Sequence, residues 1–407
     1  MRILVLNCGS SSIKYQFINT DEKVTLAKGI VDRIGMSGAV LSHTRYDGDT
    51  IKIVGEILDH TMGIEYVLGV MLSKNHGVID DKDDIDAVGH RVVHGGETFS
   101  GSVLITNEVV RVLQDNIELA PLHNPPNIKG IQAVTRLLPG KPQVGVFDTS
   151  FHLKMPPKAF LYGIPYELYK KHKIRRYGFH GTSHRFVSQR AAEILGKKFD
   201  ELKIVTAHLG NGCSMAAVDR GHSVDTTMGF TPLEGLLMGT RSGDLDPSLI
   251  LYIMGKEGLS LSEAGTLLNK HSGLIGISGE SSDMREILTA VKEDHKRSKY
   301  AFEIFCYRIK KYLGAYAAAM GGLDAFVFTG GIGENSSEVR KEVCSNLEFL
   351  GIKIDDAKNQ NSEEVISVDG GKVAVLKIPT DEELVIALDT SEIVRSLKET
   401  VNLTASV

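Results

Sequence analysis

The stretch that decides the fold is RILVLNCGSSSIKYQFI, at residues 2–18. Apolar, β-branched runs at 2–6 and 13–18 flank a small polar segment at 7–12, and this pattern predicts a β-hairpin with a turn rich in Gly and Ser. The same order recurs in KIVTAHLGNGCSMAAV, at residues 203–218, where Gly210 takes the place of Gly9. Because an internal repeat indicates a duplicated architecture, the two hairpins predict two related halves.

A weaker repeat supports the duplication. Asp86 precedes Ala-Val-Gly and Asp324 precedes Ala-Phe-Val-Phe-Thr-Gly-Gly, so each acidic residue is followed by an apolar run and then glycine. Apolar residues at helical spacing and capping residues predict helices between the strands. The predicted helices span 61–74, 182–195 with Gly196 as C-cap, a segment that starts with a capping box of Ser260 and Glu263, and 298–320. Alternating strands and helices predict an α/β protein.

Composition limits the class of protein. The chain has 407 residues, 42% of them hydrophobic and 24% charged, and this length suits two globular domains of about 200 residues each. The 46 basic and 51 acidic residues give a formal net charge of −5, so no basic excess points to nucleic acid as a partner. The four cysteines form no close pair and no apolar stretch reaches the length of a membrane span. These features predict a cytoplasmic protein with no membrane partner.

Three turns are candidates for phosphate binding. Residues 7–12, followed by Lys14, offer hydroxyl and backbone N–H donors, and residues 208–212 form the second copy of this turn. Residues 328–335, FTGGIGEN, follow an apolar run and precede a predicted helix at 336–350. Neither the dinucleotide fingerprint nor the P-loop pattern is present. A single Ser-rich turn is more commonly an ordinary hairpin turn, so the repetition is what predicts a polyphosphate clamp.

Together the three turns resemble those of the superfamily of acetate and sugar kinases, heat-shock chaperones and actin. Five further motifs resemble the acetate kinase family: GHRVVHGG at 89–96, LHNPP at 122–126, FDTSFH at 147–152, YGFHGTSH at 177–184 and GTRSGDLDP at 239–247. The resemblance extends from residue 1 to about residue 390 and includes every motif position.

The resemblance implies two duplicated ribonuclease-H-like (actin-like ATPase) domains with a nucleotide-binding interdomain cleft. The first domain would comprise residues 1–152, completed by a C-terminal helix at 385–407, and the second residues 153–384. The family further implies a homodimer and the reversible transfer of a phosphoryl group from ATP to acetate, which gives ADP and acetyl phosphate. The expected metal is Mg²⁺, with Mn²⁺ as a possible substitute.

The resemblance also implies roles for five catalytic residues. Because acetate is already a carboxylate, no base is needed, and the difficulty is the repulsion between two anions. Arg91 would hold the acetate carboxylate and Arg241 the migrating phosphoryl group, while His180 would donate a hydrogen bond to the transition state. Asp148 would orient Arg91 or a metal-bound water, and His123 would support the site.

The same family match assigns three sets of binding residues. The acetate methyl group would contact Val93, Leu122, Phe179 and Pro232. ATP would contact Ser10, Ser12, Lys14, His208, Leu209, Gly210, Asn211, Gly212, Asp283, Met284, Arg285, Gly331, Ile332, Gly333, Glu334 and Asn335. The metal would contact Asn7 and Glu382, since Thr380 and Glu383 have the spacing of a capping box that would occupy Glu383.

Two other functions are compatible with parts of the sequence. One is a kinase for propionate or another short-chain carboxylate on the same fold. The other is an ATPase switch of the actin or chaperone type, although the 17 residues after position 390 are too few for a peptide-binding domain. A zinc site at His90 and His94, or at His180 and His184, is not expected, because neither pair carries the Glu of the His-Glu-x-x-His motif.

Overall fold

The structure is a computed structural model that describes residues 1–405. The strands in this range are β1 (Arg2–Cys8), β2 (Ser12–Asn19), β3 (Val24–Asp32), β4 (Ala39–Arg45), β5 (Thr50–Gly55), β6 (Ala87–Val92), β7 (Val103–Leu104), β8 (Gln143–Phe147), β9 (Lys203–Leu209), β10 (Cys213–Asp219), β11 (His222–Thr226), β12 (Ala325–Thr329) and β13 (Ala374–Lys377).

The helices in the same range are α1 (His60–Met71), α2 (Asn107–Asp115), α3 (Asn124–Leu137), α4 (Pro157–Phe160), α5 (Tyr166–His172), α6 (Gly181–Ile194), α7 (Pro247–Glu257), α8 (Leu261–Lys270), α9 (Gly273–Ser278), α10 (Met284–Lys292), α11 (Lys296–Met320), α12 (Gly330–Asn335), α13 (Ser337–Cys344), α14 (Asp356–Gln360) and α15 (Glu382–Ala405). No helix of residues 1–405 combines the length and the apolar composition that crossing a bilayer requires.

The chain divides into two compact units. The first unit is Met1–Leu153 together with the chain from Asp381 onward, and the second is Lys154–Thr380. Residues 381–384, which the sequence analysis assigned to the second domain, therefore belong to the first unit. The reason is that α15 is one continuous helix that packs against β1, β6 and β8 of the first unit.

Each unit contains a sheet with the same core. The first sheet has the order β5-β4-β3-β2-β1-β6-β8-β7, and the second has the order β11-β10-β9-β12-β13. In both, an antiparallel hairpin is followed by two parallel strands: β1 pairs with β6 and β6 with β8, as β9 pairs with β12 and β12 with β13. The predicted duplication is confirmed, and the two predicted hairpins are β1–β2 and β9–β10.

The weaker acidic repeat has a structural explanation. Asp86 Oδ2 accepts a hydrogen bond from Arg2 N at 2.7 Å, and Asp324 Oδ2 accepts one from Lys203 N at 2.8 Å. In each unit this carboxylate satisfies the first backbone N–H of the central strand, just before the parallel strand begins. The repeat therefore fixes the register of β6 on β1 and of β12 on β9.

The central strand of the first unit is buried on both sides. Ile3 and Val5 pack against α15, whereas Leu4 and Leu6 pack against α1 and α3. Because successive side chains of a strand point to opposite faces, this dual burial explains why β1 reads as a continuous apolar run rather than an alternating one. In the second unit, α6 packs against β9 and β12, and α11 packs against β9 and β10.

Most of the predicted helices are confirmed with ends that differ by a few residues. Gly196 follows α6 in the left-handed region at φ +61°, and the capping box of Ser260 and Glu263 begins α8. The predicted turn at 328–335 is different, because its glycines form the first residues of α12. The Glu334 carboxylate accepts a hydrogen bond from Gly330 N at 2.9 Å, which starts the helix directly after β12.

We predict that Gly89→Ala destabilises the first unit. A Cβ at Gly89 would lie 2.6 Å from Thr390 Oγ1 and 2.7 Å from Ile386 Cγ2 of α15, so the helix would have to shift. Overpacking of this kind costs about 1–3 kcal/mol of unfolding free energy. The matched control is Gly69→Ala in α1, where a Cβ meets nothing within 4 Å and should add about 0.4–1 kcal/mol. Equal effects of the two variants in urea unfolding would contradict this packing.

Candidate active site

In the first unit, three parallel strands bring polar side chains to one face at their carboxyl ends. Ile3 and Val5 of β1, Ala87 of β6, and Val144 and Val146 of β8 all pack in the cluster that includes α15. Asn7 follows Val5 by two residues and Asp148 follows Val146 by two. Arg91 follows Ala87 by four residues. Because side chains two apart share a face, these three polar residues lie on the side of the sheet covered by α15.

Arg91 and Asp148 form a two-point ion pair. Arg91 Nε and Nη2 donate hydrogen bonds to Asp148 Oδ1 and Oδ2 at 3.1 and 2.6 Å. The Asp148 side chain is 2% exposed and that of Arg91 is 25% exposed, so the pair is largely shielded from water. Asp148 holds the pKa of the Arg91 guanidinium above its usual value, and Glu382 adds to this effect. The pair fixes the guanidinium while part of it stays accessible.

Two further carboxylates lie at the start of α15. Burial raises the pKa of Glu382, an effect opposed by the positive charges of Arg91 and Lys14. Burial also raises the pKa of Glu383. We define the Arg91 cluster as Lys14, Arg91, Asp148, Glu382 and Glu383. With all five groups ionised, its three carboxylates exceed its two cationic groups by one charge.

The predicted capping box at Thr380 and Glu383 is wrong. Asp381 caps α15 instead, because its Oδ1 accepts a hydrogen bond from Leu384 N at 3.0 Å. The Thr380 hydroxyl donates to Ser183 Oγ at 2.8 Å, within the second unit. Glu383 therefore forms no capping box with Thr380, and the capping argument for choosing Glu382 over Glu383 no longer applies.

The tip of the first hairpin is held by its carbonyl groups. His60 Nε2 lies 2.7 Å from the Gly9 carbonyl oxygen, and Asn127 Nδ2 donates to the Cys8 carbonyl oxygen at 2.9 Å. Ser10 is exposed and Ser12 is partly exposed. The Cys8 and Gly9 carbonyl groups are thus turned toward protein donors, while the serines of the tip remain accessible.

The residues predicted to surround a methyl group are divided between the two units. Val93 is 8% exposed and Phe179 is 5% exposed, and Pro232 is partly exposed. Leu122 is 74% exposed, and the neighbouring His123 is also exposed at the start of α3. A large apolar side chain with this exposure is not a core residue of the first unit.

In the second unit, His180 and Arg241 converge above the turn of the second hairpin. A Cβ at Gly212 would lie 3.3 Å from Arg241 Nη1 and 3.8 Å from His180 Nε2. His180 adopts φ +56° just before α6, a left-handed conformation that is rare for a residue other than Gly. With glycine at 212, the Arg241 guanidinium and the His180 ring both approach this turn closely.

Arg241 differs from Arg91 in its partners. Within residues 1–405, Arg241 Nη1 donates to the Pro232 carbonyl oxygen at 3.3 Å, and no carboxylate lies within ion-pair distance of this guanidinium. Burial lowers the pKa of Arg241. A half-buried guanidinium without an anionic partner favours the binding of an anion from outside the chain.

The loop that carries Arg241 is fixed by residues that sequence reasoning missed. Arg176 Nη1 donates to the carbonyl oxygens of residues 226, 227 and 228, and Arg176 also forms an ion pair with Glu234. Gly235 N donates to Asp244 Oδ1 at 2.8 Å, while Asp244 N donates to the Gly235 carbonyl oxygen at 2.9 Å. The segment from 235 to 244 is thereby closed at its base, with Arg241 in between.

A cavity of about 740 Å³ lies beside the second hairpin, within the second unit. Its walls include predicted ATP contacts from three segments: Gly210 and Asn211; Asp283, Met284 and Arg285; and Gly331, Ile332 and Asn335. This volume is in the range of small-molecule sites. We call it the α10 cavity, because α10 supplies one wall.

Six lining residues of the α10 cavity were not predicted: Ser282, Leu288, Thr289, Lys292, Ser336 and Glu338. A signal for some of them existed, since Arg285, Leu288, Thr289 and Lys292 follow helical spacing along one face of α10. The predicted contact Glu334 has its carboxylate occupied by Gly330 N and Thr380 N, at 2.9 and 3.1 Å. Lys14, Ser10 and Ser12 lie in the first unit.

The Arg91 cluster has suitable donors for a divalent cation. Its carboxylates, which are buried at Asp148 and partly buried at Glu382 and Glu383, exceed the cationic groups of the cluster in number, and Asn7 lies on the same face of the sheet. Within residues 1–405, no three His, Cys, Asp or Glu side chains are grouped closely enough to hold a metal alone. Mg²⁺ commonly takes one or two carboxylates and keeps several waters, so the donor set fits this ion better than one that needs a complete protein cage.

Comparisons with known proteins place this arrangement in a family. Residues 2–388 match the model of the Acetokinase family. An acetate kinase of Fervidobacterium nodosum is 57% identical over 404 residues, which cover 98% of this chain and 99% of that protein. An acetate kinase of Thermoanaerobacterium thermosaccharolyticum is 56% identical over 401 residues, which cover 98% and 100%.

Solved structures agree with this match. The crystal structure of Porphyromonas gingivalis acetate kinase has a TM-score of 0.95 at 49% identity, over 97% of this chain and 99% of that one. A propionate kinase from Francisella tularensis has a TM-score of 0.90 at 44% identity, over 96% and 99%.

We predict that His90 makes stability depend on pH. Burial lowers the pKa of His90 to about 4, whereas a histidine in the unfolded chain has a pKa of about 6.5. The unfolded state therefore binds the proton first, and the native state loses stability as pH falls from about 6.5 toward 4. For one such group, the loss between pH 7 and pH 5 is about 2 kcal/mol.

Urea unfolding at several pH values checks this effect. His90→Gln retains an amide donor for Gln143 Oε1, which His90 Nε2 contacts at 2.9 Å, and should show a shallower dependence on pH. His222→Gln, at an exposed position of β11, is the control and should follow the wild type. Parallel pH curves for all three proteins would show that His90 is not buried as a neutral ring.

Proposed function

Because this chain belongs to the acetokinase family, we propose that it transfers the γ-phosphoryl group of ATP in line and directly to acetate. Members of this family are ATP-dependent acetate phosphotransferases that use a divalent metal, and this chain is one of them. The observation that carries the proposed mechanism is the convergence of Arg241 and His180 above Gly212, next to the α10 cavity.

The reaction joins two anions, so positive charge must be supplied where they meet. An acetate oxygen forms a new bond to the γ-phosphorus while the bond to the bridging oxygen breaks, and ADP leaves with the bridging oxygen. No proton has to be removed from acetate. Positioning and electrostatic stabilisation are therefore the main tasks of the protein, as in other phosphoryl transfers.

We assign Arg91 to the acetate carboxylate and Arg241 to the migrating phosphoryl group. Asp148 orients Arg91 through its two hydrogen bonds and leaves part of the guanidinium accessible. Arg241 has no carboxylate partner among residues 1–405 and can take the phosphoryl oxygens as its anionic ligand. His180 donates a further hydrogen bond to these oxygens, and His123 supports the site.

We assign ATP to the α10 cavity and to the two hairpin turns. The size of the cavity and its position beside Gly210 and Asn211 support this assignment. In the cavity wall, Asp283 and Arg285 pair with each other, and so do Lys292 and Glu338, at 4.0 Å. Ser10, Ser12 and Lys14 would contact the phosphates from the first unit.

We assign Mg²⁺, with Mn²⁺ as an alternative, to Asn7 and Glu382. When bound, the ion would neutralise charge on the phosphate oxygens. The raised pKa of Glu382, caused by burial, indicates a carboxylate that would gain from a nearby cation. Glu383 remains a competing ligand, because α15 is capped by Asp381.

We propose acetate as the preferred substrate over propionate, with Val93, Leu122, Phe179 and Pro232 around the methyl group. Branched Val93 leaves less room than Ala would. The structural similarity to a propionate kinase keeps a longer acid as the alternative substrate. One methylene is worth about 1–3 kcal/mol in such a pocket, so propionate should remain a slow substrate.

We propose a cytoplasmic homodimer. The support for a dimer is α7, which contributes no buried residue although residues 249–254 read Leu-Ile-Leu-Tyr-Ile-Met. An apolar helix of this kind commonly packs against a partner, here a second copy of the chain. The support for a reducing compartment is that all four cysteines are unpaired and buried.

We predict that Arg91→Ala and Arg241→Ala each lower kcat by about 10²–10³-fold or more, because a charge that stabilises the transition state is removed. The measurement is ADP release in a coupled assay with Mg-ATP and acetate, with an acetate-free control that also tests the proposed function. Arg190→Ala removes an exposed ion pair with Glu193 and should leave kcat unchanged. Near-normal turnover in both active-site variants would refute the two assignments.

We predict that Val93→Ala enlarges the acyl pocket and raises the ratio of kcat/KM for propionate to that for acetate. The expected change is about tenfold, the effect of accommodating one methylene. Val54→Ala, at a position that is 71% exposed in the first unit, is the matched control. An unchanged ratio in Val93→Ala, with the fold intact by circular dichroism, would remove Val93 from the pocket.

A further inference from the structure

We propose that Thr206, His184 and Ser214 form a hydrogen-bonded chain that holds His180 as a neutral ring with its proton on Nε2. In this state His180 Nε2 can only donate a hydrogen bond. The inference rests on the proposed function, because it assigns positioning residues to that same site. The side chains of Thr206, His184 and Ser214 are each 0% exposed.

The direction of the first hydrogen bond follows from the burial of Thr206. Its Oγ1 lies 2.7 Å from His184 Nδ1, and the described part of the chain offers this hydroxyl no other partner. A buried hydroxyl hydrogen needs an acceptor, so Thr206 donates to His184 Nδ1. His184 Nδ1 is then an acceptor, and the neutral ring carries its proton on Nε2.

The second and third hydrogen bonds follow from the first. His184 Nε2 lies 2.7 Å from Ser214 Oγ and donates to it. Ser214 has one hydrogen of its own, and His180 Nδ1 lies 2.8 Å from the same oxygen. Ser214 therefore donates to His180 Nδ1, and His180 must carry its proton on Nε2.

The proton on His180 points to the site of the proposed chemistry. Arg241 Nη1 lies 3.3 Å from the position of a Cβ at Gly212, and the edge of the His180 ring approaches the same position with Cε1 at 3.7 Å and Nε2 at 3.8 Å. A lone pair at Nε2 would repel a phosphoryl oxygen held by Arg241, whereas an N–H would bind it. The chain thus selects the one neutral tautomer that stabilises the transition state.

A second series of hydrogen bonds gives the neighbouring ring of His208 the same arrangement. Thr380 Oγ1 donates to Ser183 Oγ at 2.8 Å, and Ser183 Oγ lies 2.8 Å from His208 Nδ1. Since Ser183 accepts from Thr380, its own hydrogen goes to His208 Nδ1, which leaves the proton of His208 on Nε2. The rings of His180 and His208 stack with centroids 4.3 Å apart. Two adjacent imidazoles therefore share one protonation pattern.

Neutron diffraction from the perdeuterated full-length protein tests the tautomer directly. A pH of about 7.5 is suitable, because it lies above the unperturbed histidine pKa of about 6.5. The expected map shows deuterium on Nε2 of His180 and of His184, and the Ser214 deuteron directed at His180 Nδ1. Deuterium on His180 Nδ1, either alone or together with Nε2, would overturn the proposal. This readout does not depend on activity, so it separates failure of the inference from failure of the proposed function.

Kinetics of Ser214 variants test the consequence. Ser214→Ala removes the donor to His180 Nδ1, and kcat should fall about tenfold while KM for ATP and for acetate stays within about twofold. Ser214→Thr keeps a hydroxyl and should restore most of kcat. An unchanged kcat in Ser214→Ala, or an equal loss in Ser214→Thr with the thermal midpoint unchanged, would overturn the proposal.

A double-mutant cycle shows whether Thr206 and Ser214 act through one series of hydrogen bonds or have independent structural roles. Thr206→Val replaces the hydroxyl with a methyl group of similar shape and should lower kcat in the wild-type background. In the Ser214→Ala background it should have little further effect, because the connection to His180 is already broken. Additive losses from the two substitutions would mean that Thr206 does not act through Ser214, contrary to the proposal.

Discussion

The alternation of side chains along buried strands determines where chemistry can occur in the first unit. β1, β6 and β8 are apolar along the face covered by α15, and each row ends in a polar residue at the carboxyl end of its strand. Asn7, Arg91 and Asp148 therefore come together because three strands run parallel and in register, and α15 adds Glu382 at its first turn. Gly89 lets α15 approach the sheet closely enough for this to happen.

Arg91 and Arg241 are held by the protein in different ways. Arg91 is oriented by a buried carboxylate, so the geometry of its guanidinium is set before a ligand binds. Arg241 lies in a loop closed by Gly235 and Asp244 and braced by Arg176, and within residues 1–405 it has no carboxylate partner. That guanidinium can therefore form an ion pair with an incoming anion. This contrast agrees with the proposed roles, since acetate must be positioned whereas the phosphoryl group gains charge stabilisation during transfer.

Local sequence patterns predicted the parts of the structure that local physics determines. The Gly9 and Gly210 hairpins and the capping box of α8 each depend on neighbouring residues, and all are present. The Asp86 and Asp324 repeat was visible as a pattern, although its hydrogen bonds to Arg2 and Lys203 join residues that are far apart in the sequence. The capping of α15 was missed because Thr380 bonds to Ser183, far away in the sequence. The chain of Thr206, His184 and Ser214 was missed for the same reason, since only the pairing of β9 with β10 and the packing of α6 bring those residues together.

A crystal structure with Mg²⁺, ADP, acetate and aluminium fluoride tests the central claim most directly. The account predicts that the fluoride ligands lie within about 3.2 Å of Arg241 and of His180 Nε2, with the acetate carboxylate on Arg91 and the adenosine in the α10 cavity. An analogue bound in the α10 cavity with either guanidinium directed away from it would contradict the account.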